Sequence, residues 1–256
     1  MFNSISHLTG AKVSATDGDI GHVKDAYFDD RTGTIRYLVV DAGSWLTGRE
    51  VLISPYAVKQ PVGSDKHIHV ALTRAQVKGS PDIDTHQPVS RQHERDYLSY
   101  YAYPDYWEGG GLWAMGSMAY PPVPMTPGPA TDANRAMWAR DFRGGDVHLR
   151  STTHVTGYDI QASDDTIGHV QDFVFDDENW AVRYLIVDTR NWWPGGRKVL
   201  LGLHWVDRFD WYAHKIHVRM TRADVKSSPV FEDVGSIHRD YETRLHENAK
   251  RPGYWL

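Results

Sequence analysis

One short segment of this sequence occurs twice with few changes. IGHVKDAYFDD at residues 20–30 returns as IGHVQDFVFDD at residues 167–177. At the same offset, more than half of residues 17–41 are identical to their counterparts in 164–188. After a one-residue insertion near residue 196, IHVALTRAQVKGSP at residue 68 corresponds to IHVRMTRADVKSSP at residue 216. This period is far longer than the roughly 20–50 residues of a solenoid repeat. We therefore predict two duplicated domains.

The segment between the two copies has a different composition. Residues 108–147 include GGG and YPPVPMTPGPATD, and glycine and proline at this density disfavour both helix and strand. We interpret these residues as a linker between a first domain at residues 1–107 and a second at 148–256, called here the first and second repeats. Each repeat is expected to end in a helical tail, in which ERDY at residue 94 loosely corresponds to HRDY at residue 238.

Each repeat is predicted to be mainly β. In the first repeat, strand-like residues at 13–15, 20–28 and 34–41 are separated by the turn-forming segments TDGD and DDRTG, and REVLISP and HIHVAL follow. TIRYLVVD and its counterpart AVRYLIVD are largely apolar on both faces, which is typical of a central strand. About five or six short strands in so small a unit favour a closed antiparallel barrel, because closure removes exposed strand edges. The fold class expected is two tandem small antiparallel β-barrels.

Two local patterns carry more specific predictions. Gly21 recurs as Gly168 inside a strand, which indicates a bulge or the close approach of another backbone segment. TRAQ at residue 73 and TRAD at residue 221 have the spacing of a capping box, so a short helix is expected after each threonine.

Composition excludes several classes of function. The formal charge of −5 leaves no basic excess to attract a phosphate backbone, so nucleic-acid binding is not expected. Without cysteine there can be no disulfide, thiolate metal site or thiol nucleophile. The sequence shows no signal peptide and no run near the roughly 18 apolar residues of a spanning helix. We expect a cytoplasmic protein with no membrane span.

The repeated pattern resembles a known domain family. GxxV, DGDIGxVxD, FD, RYLVVD and VLIS, in this order, are similar to the PRC-barrel domain over residues 8–78 and again over 155–226. That domain occurs in the photosynthetic reaction-centre H subunit and in the ribosome maturation factor RimM. The resemblance implies a small, mostly antiparallel barrel that holds protein partners and is not a catalyst. It does not transfer the specific role of either protein.

Nine residues are candidates for an interface. The tryptophans lie in corresponding glycine-flanked loops and could either plug a barrel or contact a partner or the other barrel. The charged residues flank the central strands and could form structural ion pairs or a charged rim facing a partner. The candidates are Trp45, Trp192, Trp193, Tyr37, Tyr184, Arg36, Arg183, Asp41 and Asp188.

Other polar groups are expected to be structural. His67 and His69 share one face of a strand and could bind a metal, but Lys215 replaces the first histidine in the second repeat, so solvent-facing histidines are the favoured interpretation. The aspartate pairs at residues 29–30 and 176–177 are interpreted as turn caps and not as calcium ligands. No metal or cofactor is predicted.

The sequence predicts a non-enzymatic protein-binding or assembly module, because no nucleophile elbow or Walker loop is present. Its partner is expected to be an unidentified protein. The two barrels are also expected to contact each other about a pseudo-two-fold axis, each closing on its own apolar interior. Two alternatives remain open: a soluble relative of the H subunit acting in electron-transfer complexes, and a hydrolase or small-ligand site in the groove between the barrels.

Overall fold

The computed structural model describes residues 1–46, 48–60, 62–63, 65–81, 91–103, 149–192 and 194–255, with the backbone alone at 91–93. The predicted linker at 108–147 and the candidate Trp193 lie outside these residues. Within them, no helix combines the length and the hydropathy that crossing a bilayer would require.

The first repeat is built from short strands with helices at both ends. Its strands are β1 Phe2–Ser4, β2 Lys12–Ala15, β3 Gly18–Asp29, β4 Ile35–Asp41, β5 Glu50–Ile53 and β6 His67–His69. Its helices are α1 Ile5–Leu8, α2 Arg74–Gly79 and α3 Arg91–Tyr101, with 3-10 turns at Gly43–Leu46 and Pro55–Ala57.

The second repeat follows the same order with one additional strand. Its strands are β7 Leu149–Ser151, β8 Asp159–Gln161, β9 Thr166–Asp176, β10 Ala181–Asp188, β11 Lys198–Gly202, β12 Val206–Asp210 and β13 Lys215–Val218. Its helices are α4 Thr152–Val155, α5 Arg222–Ser227 and α6 Arg239–Asn248, with 3-10 turns at Leu203–Trp205 and Val234–Ser236. The strand without a counterpart among the first repeat's described residues is β12.

The fold is mainly β, with two sheets and a few helices, as predicted. One sheet has the order β5-β4-β3-β2-β6 and the other the order β11-β10-β9-β8-β13-β12. Neighbouring strands are antiparallel except for the parallel pairs β2–β6 and β8–β13. Strands β4 and β10 each lie between two neighbours, which confirms the central position predicted for TIRYLVVD and AVRYLIVD.

The two repeats exchange their first strands. Strand β1 of the first repeat pairs with β9 of the second, with Phe2 opposite Asp176 and Ser4 opposite Val174. Strand β7 of the second repeat pairs with β3 of the first in the equivalent register. This exchange was not predicted from the sequence. Each sheet takes one strand from the other copy.

A pseudo-two-fold axis passes between the turns that follow β3 and β9. Thr34 and Ala181, which are equivalent positions, form an antiparallel bridge with each other. The amide of Ile35 donates to the carbonyl of Trp180 at 2.8 Å, and the amide of Val182 donates to the carbonyl of Gly33 at 2.7 Å. These reciprocal bonds join the two sheets at one point.

The two turns at this axis reach the same backbone shape with different residues. Gly33 has φ +73° and its counterpart Trp180 has φ +56°, in the left-handed region that disfavours a bulky side chain. The Trp180 ring is buried and stacks on Phe175 at 5.4 Å between centroids, which offsets the backbone strain.

Apolar contacts also join the repeats. The largest core cluster contains side chains from both copies. Phe28 of the first repeat lies 5.5 Å from Phe173 and 6.3 Å from Phe209 of the second, measured between ring centroids. A smaller cluster under α3 includes Leu149, contributed by the exchanged strand β7.

The local predictions for glycines and helix starts are confirmed. A Cβ on Gly21 would lie 1.9 Å from the carbonyl oxygen of Asp41, and one on Gly168 would lie 2.4 Å from the carbonyl oxygen of Asp188. Both TRAQ and TRAD form complete capping boxes at the starts of α2 and α5.

Candidate functional site

The repeated aspartates of the opening motif hold the exchanged segments. Asp25 accepts hydrogen bonds from Ser151 Oγ at 2.5 Å, Thr152 Oγ1 at 2.8 Å and the amide of Thr153 at 3.1 Å, all from the other repeat. Its counterpart Asp172 accepts one, from the amide of Ser6 at 3.1 Å. In both copies, this aspartate of the motif therefore binds the other repeat.

The two aspartates at the end of the motif have different structural roles. Asp29 Oδ1 accepts the amides of Arg31 and Thr32, which confirms the predicted turn cap. The second aspartate instead reaches the exchanged strand: Asp30 accepts from Arg150 Nε at 3.2 Å.

Asp177, the counterpart of Asp30, accepts from Asn3 Nδ2 at 2.8 Å. Asn3 and Arg150 occupy equivalent positions in β1 and β7. This second role of the aspartate pair was not predicted.

The candidate tyrosines are buried and anchor the tail helices. Tyr37, 1% exposed, donates to Glu94 of α3 at 3.1 Å, and Tyr184, 0% exposed, donates to Glu242 of α6 at 2.7 Å. Burial, followed by the hydrogen bond to Glu242, raises the pKa of Tyr184 far above its usual value. Both rings are thus inaccessible to a partner in this conformation.

The candidate charged residues pair locally. Arg36 is buried and lies 3.4 Å from Asp29, and Arg183 lies 3.8 Å from Asp176. Asp41 is exposed and accepts the amide of Gly43 at 2.8 Å. These contacts agree with the interpretation as structural pairs, although the partners are the turn aspartates and not the residues at the other end of the strand.

Asp188, the counterpart of Asp41, is buried and paired with a neighbour. Arg190 Nε donates to both of its carboxylate oxygens at 3.0 Å. Hydrogen bonds from the Arg190 side chain lower the pKa of Asp188 to about 2.

The two described loop tryptophans are held within their own repeats. Trp45 Nε1 donates to the carbonyl of Ile20 at 2.5 Å, and the Arg74 guanidinium lies 4.4 Å from its ring centroid. The carbonyl of Trp192 accepts from Arg222, the equivalent of Arg74, at 3.2 Å. Both rings are half-buried against the core. The Trp45 ring contacts the short helix that follows β6, whereas Trp192 contacts the helix that follows β13 through its backbone carbonyl.

The paired histidines take part in polar contacts on the sheet surface. His67 Nε2 lies 2.7 Å from Ser14 Oγ, and the rings of His67 and His69 are 4.1 Å apart between centroids. Among the residues that the structure describes, no three histidine or carboxylate side chains form a group able to hold a metal ion.

A groove of about 700 Å³ lies between the repeats, beside the pseudo-two-fold axis. The first repeat contributes the turn residues 30–33, and the second contributes Arg150 of β7, Val182 and Arg183 of β10, and residues of β12. Because β12 has no strand counterpart among the described residues of the first repeat, this part of the groove lining is specific to the second repeat there. We call it the inter-repeat groove.

Arginine and aromatic side chains line much of the inter-repeat groove. The guanidinium of Arg150 lies 3.8 Å from the Trp211 ring centroid, and that of Arg183 lies 4.2 Å from the Tyr254 ring centroid. Phe209 stacks on Trp211 at 5.0 Å and an interplanar angle of 2°. Cation–π contacts of this kind hold the guanidinium planes in fixed orientations.

The formal charge of the inter-repeat groove is positive at neutral pH. Its lining includes four arginines and two carboxylates, Asp30 and Asp207. Asp30 is paired with Arg150, and Asp207 accepts from Arg219 Nε at 2.6 Å. Partial burial and the neighbouring His246 lower the pKa of His204 to about 4, so this ring adds no charge at pH 7. An acidic protein thus carries a basic groove where its two copies meet.

Comparison with known proteins identifies both repeats with one domain type. A family model described as the PRC-barrel domain matches residues 1–77 and 153–225. An uncharacterized protein of Deinococcus radiodurans is 35% identical over 95 residues, covering 35% of this chain and 32% of that relative. The chain thus aligns with about a third of that relative's length.

Proposed function

Because this chain belongs to the PRC-barrel domain family, we propose that it is a non-catalytic protein-binding module whose docking site is the inter-repeat groove. Members of this family are generally non-catalytic. The observation that carries the proposal is the groove itself, a basic and aromatic surface formed only where the two repeats meet.

The composition of the groove favours binding over hydrolysis. Each of its two carboxylates accepts a hydrogen bond from an arginine, an arrangement typical of a structural ion pair and not of a general base facing a substrate. Arginine, tryptophan and tyrosine are the residue types enriched at the centres of protein interfaces. We therefore favour a partner protein over a small-molecule substrate.

The proposal includes the domain organisation. We propose that residues 1–107 and 148–256 each form a barrel-like domain, joined by residues 108–147. In the second sheet the two end strands, β11 and β12, are consecutive in the chain and are connected by the 3-10 turn Leu203–Trp205, which supports a barrel-like sheet that stays open along β12. The exchanged strands then make the pair of domains one unit with a pseudo-two-fold axis, as in a homodimer.

Chemical cross-linking in the native host tests the function. The full chain is tagged and cross-linked, and captured proteins are identified by mass spectrometry and purified for a direct binding measurement. We expect a purified partner to bind with defined stoichiometry and to cross-link near the groove. A chain that binds no purified partner, but turns over substrates in an ester and phosphoester hydrolysis screen, would disprove the proposal.

A further inference from the structure

The strand β12, Val206–Asp210, lies at the end of its sheet. It pairs with β13 on one side, and no described strand pairs with its other edge. An unpaired edge presents backbone N–H and C=O groups that can accept another extended chain.

The inter-repeat groove runs along this open edge. Val206, Asp207, Arg208 and Phe209, four consecutive residues, all line it. A cavity over one face of a strand would contact alternate residues, because successive side chains point to opposite faces. A bulge between Val206 and Arg208 disturbs that alternation once, but Arg208 and Phe209 follow the regular register and both line the groove.

Two arginines supply positive charge at opposite walls of the groove. Arg31, on the turn after β3, is exposed, and so is Arg208, on β12 itself. The guanidinium of Arg208 contacts the Nε2 atom of His217, at 3.3 Å, and within the described part of the chain it forms no ion pair with a carboxylate. A bulge and an arginine on an edge strand discourage pairing with unrelated strands, whereas an acidic strand would compensate the arginine's charge.

We propose that the inter-repeat groove binds an acidic, extended peptide segment of a partner protein, which adds to the edge of β12 as a further strand. This inference rests on the proposed protein-binding function and specifies the partner's chemistry. The backbone of β12 supplies the hydrogen bonds, and Arg31 and Arg208 select acidic side chains. The five residues of β12 would pair with about 17 Å of extended peptide, at about 3.4 Å per residue.

The test uses the full chain and a fluorescent peptide of alternating glutamate and valine. We expect saturable binding that weakens with salt, and no binding of the matching lysine–valine peptide. Arg208→Glu should weaken the affinity roughly tenfold, since a groove charge is reversed. Arg244→Glu is the matched control, because Arg244 is exposed on α6 and lies away from the groove. This variant should bind normally.

Two further measurements separate strand addition from simple charge attraction. N-methylation of alternate amides of the glutamate–valine peptide should reduce binding roughly tenfold or more, because it removes ladder donors without changing charge. Hydrogen exchange should show new protection in Val206–Asp210. Three results would each overturn the inference. The methylated peptide could bind as tightly as the unmodified one, the new protection could appear at Glu50–Ile53 and not at Val206–Asp210, or free glutarate could bind with the same affinity as the peptide.

The native partner distinguishes this inference from the proposed function. If a purified partner binds wild-type chain and Arg208→Glu chain with equal affinity, the acidic-strand inference is wrong and the protein-binding function stands. If the acidic peptide binds as expected, but the chain binds no purified partner and turns over substrates in the hydrolysis screen, the proposed function fails while the groove chemistry is retained.

Discussion

The contacts of Asp25 and Asp172 predict unequal contributions to stability from two equivalent residues. Each accepts one hydrogen bond from the next residue's amide, at 2.7 Å in both repeats. From the other repeat, Asp25 accepts three further bonds and Asp172 accepts one. Each bond contributes about 1 kcal/mol net, so Asp25→Ala should destabilise the chain by about 2 kcal/mol more than Asp172→Ala.

Urea unfolding followed by tryptophan fluorescence measures this difference. For a structure of this size the difference corresponds to a melting temperature lower by about 4–8 °C for Asp25→Ala. A double-mutant cycle with Thr152→Val measures the interaction energy between Thr152 and Asp25. Thr152→Val should lower the free energy of unfolding in the wild-type chain and leave it nearly unchanged when Asp25 is already alanine. Equal unfolding free energies for the two alanine variants would show that these contacts do not hold the exchanged segments.

Three other predictions follow from buried or crowded groups. Gly21→Ala should cost more than about 3 kcal/mol in thermal unfolding, because its Cβ would lie 1.9 Å from a backbone oxygen. Tyr184→Phe should cost about 1.5–3 kcal/mol in urea, since a buried bond to Glu242 is lost; an unchanged midpoint would contradict this role. The lowered pKa of Asp188 means that its pairing stabilises the fold above pH 3.8 and is lost as pH falls through about 2. Arg190→Ala should therefore lower the urea-unfolding midpoint at pH 7, and progressively less towards pH 2.

Regular elements could be predicted where the pattern was local. The central strands, the capping boxes and the close approach at Gly21 all depend on residues within one repeat, and each is confirmed. Residues identical in both copies also helped to predict local structure, since such a residue has equivalent neighbours in each repeat.

The strand exchange could not be predicted from the same patterns. Strands of three residues carry too little alternation to be recognised, and a duplicated sequence offers each strand two equivalent partners. A signal did exist: SISHLTG at residue 4 corresponds to STTHVTG at residue 151, so the repeat begins before the first predicted strand. The loose match of the ERDY and HRDY tails was misleading, because it aligns Glu94 with His238. In the structure the equivalent of Glu94 is Glu242, since each accepts a hydrogen bond from the corresponding tyrosine of its repeat.

The inter-repeat groove was also hidden from comparison of the copies. Asp207, Arg208, Phe209 and Trp211 of its lining come from β12 and the segment after it, which differ from the first repeat. The candidate interface, in contrast, was chosen because its residues recur. Tyr37, Tyr184 and Arg36 are buried and have structural roles. Among the candidates that the structure describes, Arg183 alone lines the groove, so recurrence located only one residue of the basic surface.

The reciprocal strand exchange separates two properties that usually coincide in a tandem protein, covalent connection and mechanical attachment. Each half is bound to the other by a shared sheet, by the bridge at the axis and by the hydrogen bonds of Asp25 and Asp172. A chain cut by a protease between the halves would therefore still sediment as one particle. Pulling the halves apart would require tearing a strand out of each sheet, so force on one half is transmitted through the β-ladders as well as through the tether.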